Sequence, residues 1–522
     1  DGVQRLRIDA DGLIDRAVRL SLPAGNYEEI FPVNDGLLVL DRPTETLLAE
    51  VWPPPPLGAA NGTLHHYVLE TEKATEIADE ISAVRMTRDG SRVVMHGENG
   101  FGVFDLEGME GPHPVKLQSA PMLVDAPAEW AQILDEAWRL QRDFFWNPEL
   151  NGIDWDSIRI KYQALLPRIG NRVELNRLIG EMIAELGTSH TYVWGGDVRL
   201  GSDPVDVGLV GADLVADGSR VRLGKILKAP SWSDVSTGPL GGVWQRVAEN
   251  DILRSIDGTP VTVNVNPYSL LQNKAGDVVE LGLSDEPGGT IRLVKIRPID
   301  DESELRYLAW VERNRAAVEK ASDGRLGYLH IPDMDGEGLS MFGRLFNPQA
   351  GKDGMLIDVR GNGGGFVSQM IISRLARKPW AYSQGRHGVA ESYPARVMAG
   401  PRAVLIDQFA GSDGDIFPES FRMLKIGPLI GTRTWGGVVG IRADKPTVDG
   451  GITTQPEYAW WEPTRGWSLE NSGVAPDIEV QLTPTNWLDG VDPQLDRGIQ
   501  WLLEDLKENP MPRPTQPPYP GD

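Results

Sequence analysis

Val404-Leu405-Ile406-Asp407-Gln408-Phe409-Ala410-Gly411-Ser412-Asp413-Gly414-Asp415 reads as an apolar strand, a small-residue turn and the start of a helix. A strand that feeds a helix through so tight a turn belongs to a layered α/β structure. A Ser held there projects at the carboxyl edge of the sheet, where backbone amides and the helix N-terminus can receive a developing oxyanion. The turn is close to Gly-x-Ser-x-Gly, with Ala410 in place of the first Gly. Ser and Asp are also favoured helix caps, and on this motif alone capping is the simpler reading of Ser412.

Working outward, residues 326–331, 354–359, 402–409 and 428–432 read as strands, and 367–376 and 416–424 as helices. This predicts an α/β core domain over 303–508 with a mixed sheet. Its second glycine-rich turn, Asp358-Val359-Arg360-Gly361-Asn362-Gly363-Gly364-Gly365, again lies between a strand and a helix, so its amides could bind an anion. Gly-x-Gly-x-x-Gly is not satisfied and no Gly-Lys-Ser/Thr follows, which excludes the dinucleotide and phosphate-loop readings. An oxyanion loop and a flexible linker remain.

A nucleophilic Ser needs a base, and the chain has seven His. His65, His66, His96 and His113 fall in the β-rich front, His330 ends a strand and His387 lies in a polar loop. His190 differs: it follows Glu185-Leu186-Gly187-Thr188-Ser189 at a helix end, just before a strand-like run. A helix-end His can equally be a plain C-cap donor.

The rest of the chain is modular. Residues 1–118 read as all-β, with short apolar runs and turns that resemble propeller blades, too few for a closed propeller. Residues 126–198 carry helical periods over 129–146, 156–166 and 172–186. Residues 203–298 return to β-structure, and Glu249-Asn250-Asp251-Ile252-Leu253-Arg254-Ser255-Ile256-Asp257-Gly258 resembles the acidic turn and strand of PDZ domains, with Asn250 where their Gly stands. A PDZ sheet edge can take an extended peptide as an added strand. The Pro-rich tail 509–522 is expected to be disordered.

Composition sets limits. At 522 residues the chain implies several domains, and a net charge of −24 (51 Lys and Arg against 75 Asp and Glu) disfavours nucleic acid and anionic membranes as partners. Zero cysteines exclude disulfides, thiolate zinc and a Cys nucleophile, which fits a cytoplasmic protein. No HExxH or Cys/His cluster suggests a metal, and no cofactor is expected. No apolar run reaches the roughly 18 residues of a spanning helix. The chain opens Asp1-Gly2-Val3-Gln4-Arg5, without a signal-like segment and without Met, as a piece of a longer protein would.

Taken in order, "DEAWRLQRDFFW", "GIDWDSIRIKY", "ELGTSHTY", "DVRGNGGG", "AGSDGDIFPESFR" and Trp467-Ser468-Leu469-Glu470-Asn471-Ser472-Gly473-Val474-Ala475-Pro476-Asp477 resemble the core of the tricorn protease family over roughly 120–505. The resemblance implies a multidomain serine peptidase of oligopeptides: a β-propeller remnant, a helical subdomain, a PDZ-like domain and an α/β core. Position by position it implies Ser412 as nucleophile, His190 as base, Ser189 orienting the imidazole and Glu470 completing the set. The amides of Asp413 and Gly365 become the expected oxyanion hole. It also implies a cytoplasmic homohexamer. The family's acidic P1 determinant has no counterpart in Pro379-Trp380-Ala381-Tyr382-Ser383-Gln384-Gly385, which points to an apolar or mixed P1 preference.

Two other readings compete. Carboxyl-terminal processing peptidases share the PDZ and core, but use a Ser–Lys dyad, and Gly437 stands where their Lys would. A peptide-binding scaffold with a dead core is the non-enzymatic alternative. An α/β-hydrolase is excluded because its His follows its Ser, and all seven His here precede Ser412.

Overall fold

The computed structural model describes residues 17, 20–42, 61–97, 100–106, 108–116, 123–198, 205–233, 235–242, 245–387, 389–512 and 515–518. The expected boundaries at 118 and 203, and residues 513–514 and 519–522 of the tail, lie outside them. The chain divides into two compact units, residues 1–125 and 126–522.

In the first unit, β1 (Asn26–Val33), β2 (Gly36–Arg42), β3 (Gly62–Val68), β4 (Lys73–Met86), β5 (Arg92–Gly97), β6 (Gly100–Asp105) and β7 (Glu110–Pro114) pair in chain order as one antiparallel meander. Leu38, Leu40, Leu64, Val84, Val93, Met95 and Phe104 bury its apolar face. The expected blades are not separate here: propeller blades hold four strands, and this sheet runs on through seven. Strand–turn–strand spacing is the same in both arrangements, so the sequence does not distinguish them.

The second unit opens with α1 (Ala126–Phe144), α2 (Trp155–Gln163) and α3 (Arg172–Ala184). Helix α1 begins three residues before its apolar period because Pro127 fits the first turn, where no amide partner is lost. Asp154 caps α2 through the Ser157 amide and Asn171 caps α3 through the Glu174 amide. Ile133, Leu134, Trp138, Leu175, Ile179 and Met182 form their common core. The indoles of Trp138 and Trp155 each donate to the other's carbonyl, at 2.8 and 3.0 Å.

After β8 (Val193–Trp194) come β9 (Ala212–Asp217), β10 (Arg220–Ile226), β11 (Ile252–Ile256), β12 (Thr259–Pro260), β13 (Val279–Ser284) and β14 (Arg292–Ile296). They form a sheet in the order β14-β13-β11-β10-β9, with β12 on β11. Asn250 takes φ +75°, a left-handed conformation that Asn tolerates better than most residues, so it can stand where PDZ domains carry Gly.

Helix α4 (Ser303–Ala321) leads into the core: β15 (Leu326–His330), α5 (Gly336–Gln349), β16 (Gly354–Asp358), α6 (Ser368–Leu375), the hairpin β17 (Ala381–Ser383) and β18 (Glu391–Tyr393), β19 (Arg402–Ile406), α7 (Asp413–Met423) and β20 (Leu429–Gly431). Then follow β21 (Gly440–Arg442), β22 (Ile452–Thr453), β23 (Gln455–Tyr458), β24 (Ile478–Glu479), α8 (Pro484–Leu488) and α9 (Pro493–Glu508). The central sheet, β15-β16-β19-β20-β24, is parallel at every pairing, which corrects the expected mixed sheet. Crossovers through α5, α6 and α7 impose that direction. Every residue of β15 and β16 is buried, as a sheet covered on both faces requires. Strand β22 leaves this core to pair with β8, Ile452 opposite Trp194 and Thr453 opposite Val193, which ties the helical module to the α/β module. Among the described residues no helix is long and apolar enough to cross a membrane.

Candidate active site

Strand β19 delivers the chain to Asp407, whose carboxylate accepts the amides of Gly361, Phe409 and Ala410 and so shapes the turn. Ser412 then sits at the cap position of α7 with φ +57° and ψ −124°. Its side chain makes no cap hydrogen bond, so capping is not what the hydroxyl does. A non-Gly residue held at positive φ is strained, and such strain persists only where the surroundings over-determine it. Here the Gly411 amide donates to Asn362 O at 2.9 Å and the Ser412 amide to Gly437 O at 2.8 Å.

The glycine loop packs directly on this turn. Asn362 is fully buried, donates to Ile331 O and accepts the Gly364 amide at 2.9 Å. A Cβ on Gly364 would stand 2.4 Å from Ser412 Cβ, and one on Gly365, at φ +145°, 2.0 Å from Met334 O. Three amides here donate no hydrogen bond among the described residues: those of Gly363 and Gly365 in the loop and that of Asp413, the first residue of α7. At the root of the loop, burial alone would raise the Asp358 carboxyl, but the Arg360 guanidinium that grips both its oxygens holds it below the usual range.

The base side comes from the helical module. Beyond α3 the chain turns through Gly187 to His190, half-buried at φ +58°. Ser189 Oγ lies 3.0 Å from His190 Nδ1 and donates to Glu470 Oε2 at 3.2 Å. A hydroxyl has one proton, and this one goes to the carboxylate. Ser189 Oγ is therefore the acceptor toward His190, Nδ1 carries the imidazole proton, and the Nε2 lone pair is left to take another. Burial pushes the His190 pKa below its ordinary value, and the Glu470 charge partly opposes that.

Glu470 gathers four further donors: the Ser189 amide (2.7 Å), Thr188 Oγ1 (3.1 Å) and the amides of Val438 (2.9 Å) and Val439 (3.1 Å). Residues 434–439 thus bridge the two halves. They are pinned by Asp415 of α7, which accepts Thr434 Oγ1 and the amides of Gly436 (2.9 Å) and Gly437 (3.1 Å). Burial pushes the Asp415 carboxyl up to about 6 against those hydrogen bonds. Trp435 packs edge-on against His190, ring centres 5.1 Å apart, while its amide donates to Ala410 O at 2.9 Å.

Ser189, His190 and Glu470 are therefore joined by hydrogen bonds, and Ser412 joins them through the 434–439 bridge. No hydrogen bond links Ser412 Oγ to His190. The sequence did not single out Asp415, Trp435 or Thr454, whose hydroxyl donates to His190 O at 2.6 Å. Their partners lie far along the chain or in unmarked loop, and no local pattern reveals them. Gly437, considered only as the vacant place of a Lys, supplies the carbonyl that holds Ser412. Ser383 in the segment expected to lack an acid is paired with Glu391 across the hairpin. Among the described residues no group of three or more His, Cys, Asp or Glu could hold a metal ion.

Residues 325–480 match peptidase family S41. The matched stretch takes in the parallel sheet, the Ser412 turn at its edge and the glycine loop packed on that turn. Residues 126–184 match the tricorn protease C1 domain, and 208–301 the tricorn protease PDZ domain. The tricorn protease of Thermoplasma acidophilum is 36% identical over 96% of this chain and 46% of its own length, and tricorn protease homolog 1 of Streptomyces coelicolor 36% identical over 98% and 48%. A crystal structure of the tricorn protease superposes with a TM-score of 0.85 over 93% of this chain and 47% of that one. The chain belongs to the tricorn protease family. It spans about half the length of the curated relatives it matches.

Proposed function

We propose that this chain is a serine peptidase that hydrolyses oligopeptides, with Ser412 as nucleophile. The observation that carries the reading is the relay Glu470–Ser189–His190, which leaves the Nε2 lone pair of a half-buried imidazole free, with Trp435 packed against that ring and hydrogen-bonded to the strained Ser turn. In the reaction, His190 Nε2 takes the Ser412 proton and the alkoxide attacks the peptide carbonyl. The amides of Asp413 and Gly365 receive the oxyanion, and the imidazolium returns its proton to the leaving amine. Water, deprotonated by the same imidazole, then releases the acyl group. Each oxyanion donor contributes about 3–4 kcal/mol to such a transition state.

The family resemblance supports three further readings, each finer than the fold and family alone: the front meander as the end of a propeller, assembly as a homohexamer, and a cytoplasmic location. For P1, the lack of a carboxylate in 379–385 favours apolar or mixed residues. Glu391, opposite Ser383, favours the competing preference for Lys or Arg. A peptide panel with basic and apolar P1 residues decides between them.

The test of the main reading is labelling with a fluorophosphonate, followed by peptide mapping, in the native chain and in Ser412→Ala. One label per chain on Ser412, absent from the variant, is expected. Peptide binding without label or hydrolysis in either protein supports the scaffold reading instead.

A further inference from the structure

We propose that Thr454 is a positioning residue for His190, acting through the backbone; this rests on the reading of His190 as the base. Thr454 lies just after β22, on the segment that ties the α/β module to the helical one, and its side chain is fully buried. Its hydroxyl donates to His190 O at 2.6 Å and accepts the Tyr192 amide at 2.8 Å. One oxygen thus clamps the backbone on both sides of Thr191. The two chains are further locked by the Thr454 amide on Tyr192 O at 3.0 Å and by Gln141 Nε2 on Thr454 O at 2.8 Å.

The clamp matters because of where His190 stands. At φ +58° its backbone is in a conformation that a side-chain-bearing residue leaves unless it is held. The direction of the Cα–Cβ bond follows from φ and ψ, so a relaxed backbone at 190 swings the imidazole away from Ser189 Oγ, now 3.0 Å from Nδ1. Without the Thr454 hydroxyl, the His190 carbonyl and the Tyr192 amide each lose a partner, and relaxation is the way to regain one. The Glu470 relay acts through the preceding residue, Ser189, and fixes the tautomer of the ring. Thr454 fixes its place.

The test compares Thr454→Val, Thr454→Ser and His190→Ala with the native chain, in steady-state peptide hydrolysis and in the rate of Ser412 acylation by a fluorophosphonate. Val is nearly isosteric and keeps both backbone hydrogen bonds of residue 454, so the fold is expected to survive. Should Thr454→Val fail to fold, Thr454→Ala replaces it. The expected result is a fall in kcat and in acylation rate on the order of 10- to 100-fold for Val, the scale of a small misplacement of a reacting group, with KM within about twofold. Ser, which keeps the hydroxyl, restores both rates to within about threefold of the native chain. Native rates in Thr454→Val, or equal losses in Val and Ser, overturn the proposal, since the second result shows that the hydroxyl alone does not hold His190 and assigns the effect to the packing of the whole side chain. Retained activity in His190→Ala instead overturns the reading of His190 as base.

Discussion

Ser412 and Glu470 are held to opposite ends of one peptide unit. The Gly437 carbonyl accepts the Ser412 amide at 2.8 Å, and the amide of the same peptide, that of Val438, donates to Glu470 Oε2 at 2.9 Å. The proposed nucleophile and the last member of the relay are therefore set by one rigid plane. A displacement of either is transmitted to the other, although 57 residues separate them along the chain and no hydrogen bond runs between their side chains.

Glu470 is the first place to test this. Its carboxylate accepts five donors, and a Gln amide cannot accept where its NH2 group falls. Glu470→Gln should lower kcat by about 10- to 100-fold, because a misdirected Ser189 no longer orients the imidazole. It should also cost about 1–3 kcal/mol of stability from unpaired donors. Steady-state kinetics and urea unfolding on the same preparation measure both. Native kcat with reduced stability would reduce Glu470 to a structural role.

The pH profile carries a second prediction. Burial depresses the His190 pKa below 6.5, and a base works only when neutral. The kcat/KM profile should therefore rise through a midpoint below 6.5 and stay level above it. Because Glu470 pulls that pKa upward, Glu470→Gln should move the limb to lower pH. Asp415, pushed up to about 6, protonates in the same window and weakens its hold on the Gly437 amide, which steepens the limb in the same direction. A limb that moves to higher pH in Glu470→Gln contradicts this assignment.

Much of this arrangement was open to sequence reading, for definite physical reasons. Runs such as Leu326–His330 and Gly354–Asp358 are buried throughout, and continuous apolar runs between glycine turns are what such strands require. Strand direction is not written in a run, and the parallel sheet was missed for that reason. Ser412 and His190 were singled out locally, because each stands at a change of element. Glu470 was accessible only through family resemblance: nothing in Trp467-Ser468-Leu469 marks the next residue as the acceptor of Ser189, 281 positions away. Thr454, 264 positions from His190, has no local signal at all.

Gly365 gives a prediction about the oxyanion loop. A Cβ there would lie 2.0 Å from Met334 O, and backbone cannot step aside as a flexible side chain can. Gly365→Ala should displace the loop amide and slow Ser412 acylation by about 10²–10³-fold. Gly363 has nothing within 4 Å of its Cβ position, so Gly363→Ala is the control and should acylate at close to the native rate. Equal acylation rates in the two variants would remove the Gly365 amide from the oxyanion hole.

The last prediction concerns how the two halves of the site stay together. Arg172 of α3 and Asp449, on the loop before β22, form an ion pair whose side chains are only 4% and 1% exposed. Burial would raise the Asp449 carboxyl. Arg172, Thr447 Oγ1 and the amides of Asp197 and Gly451 prevail, and hold it well below the usual carboxylate range. Removing one partner of such a pair strands the other in the interior, so Asp449→Ala should cost about 3–5 kcal/mol, measurable by urea unfolding. Since the folded pKa is depressed, the stabilisation is present above the unfolded value near 4 and is lost as pH falls from there toward the folded one. The native chain should therefore lose stability steeply between about pH 4 and 2, and Asp449→Ala should lose less over that interval. Because the same loop carries Thr454 to His190, the variant should also lose kcat before it unfolds. A variant with native kcat up to its unfolding midpoint would confine this pair to stability and leave the placement of His190 to the β8–β22 pairing.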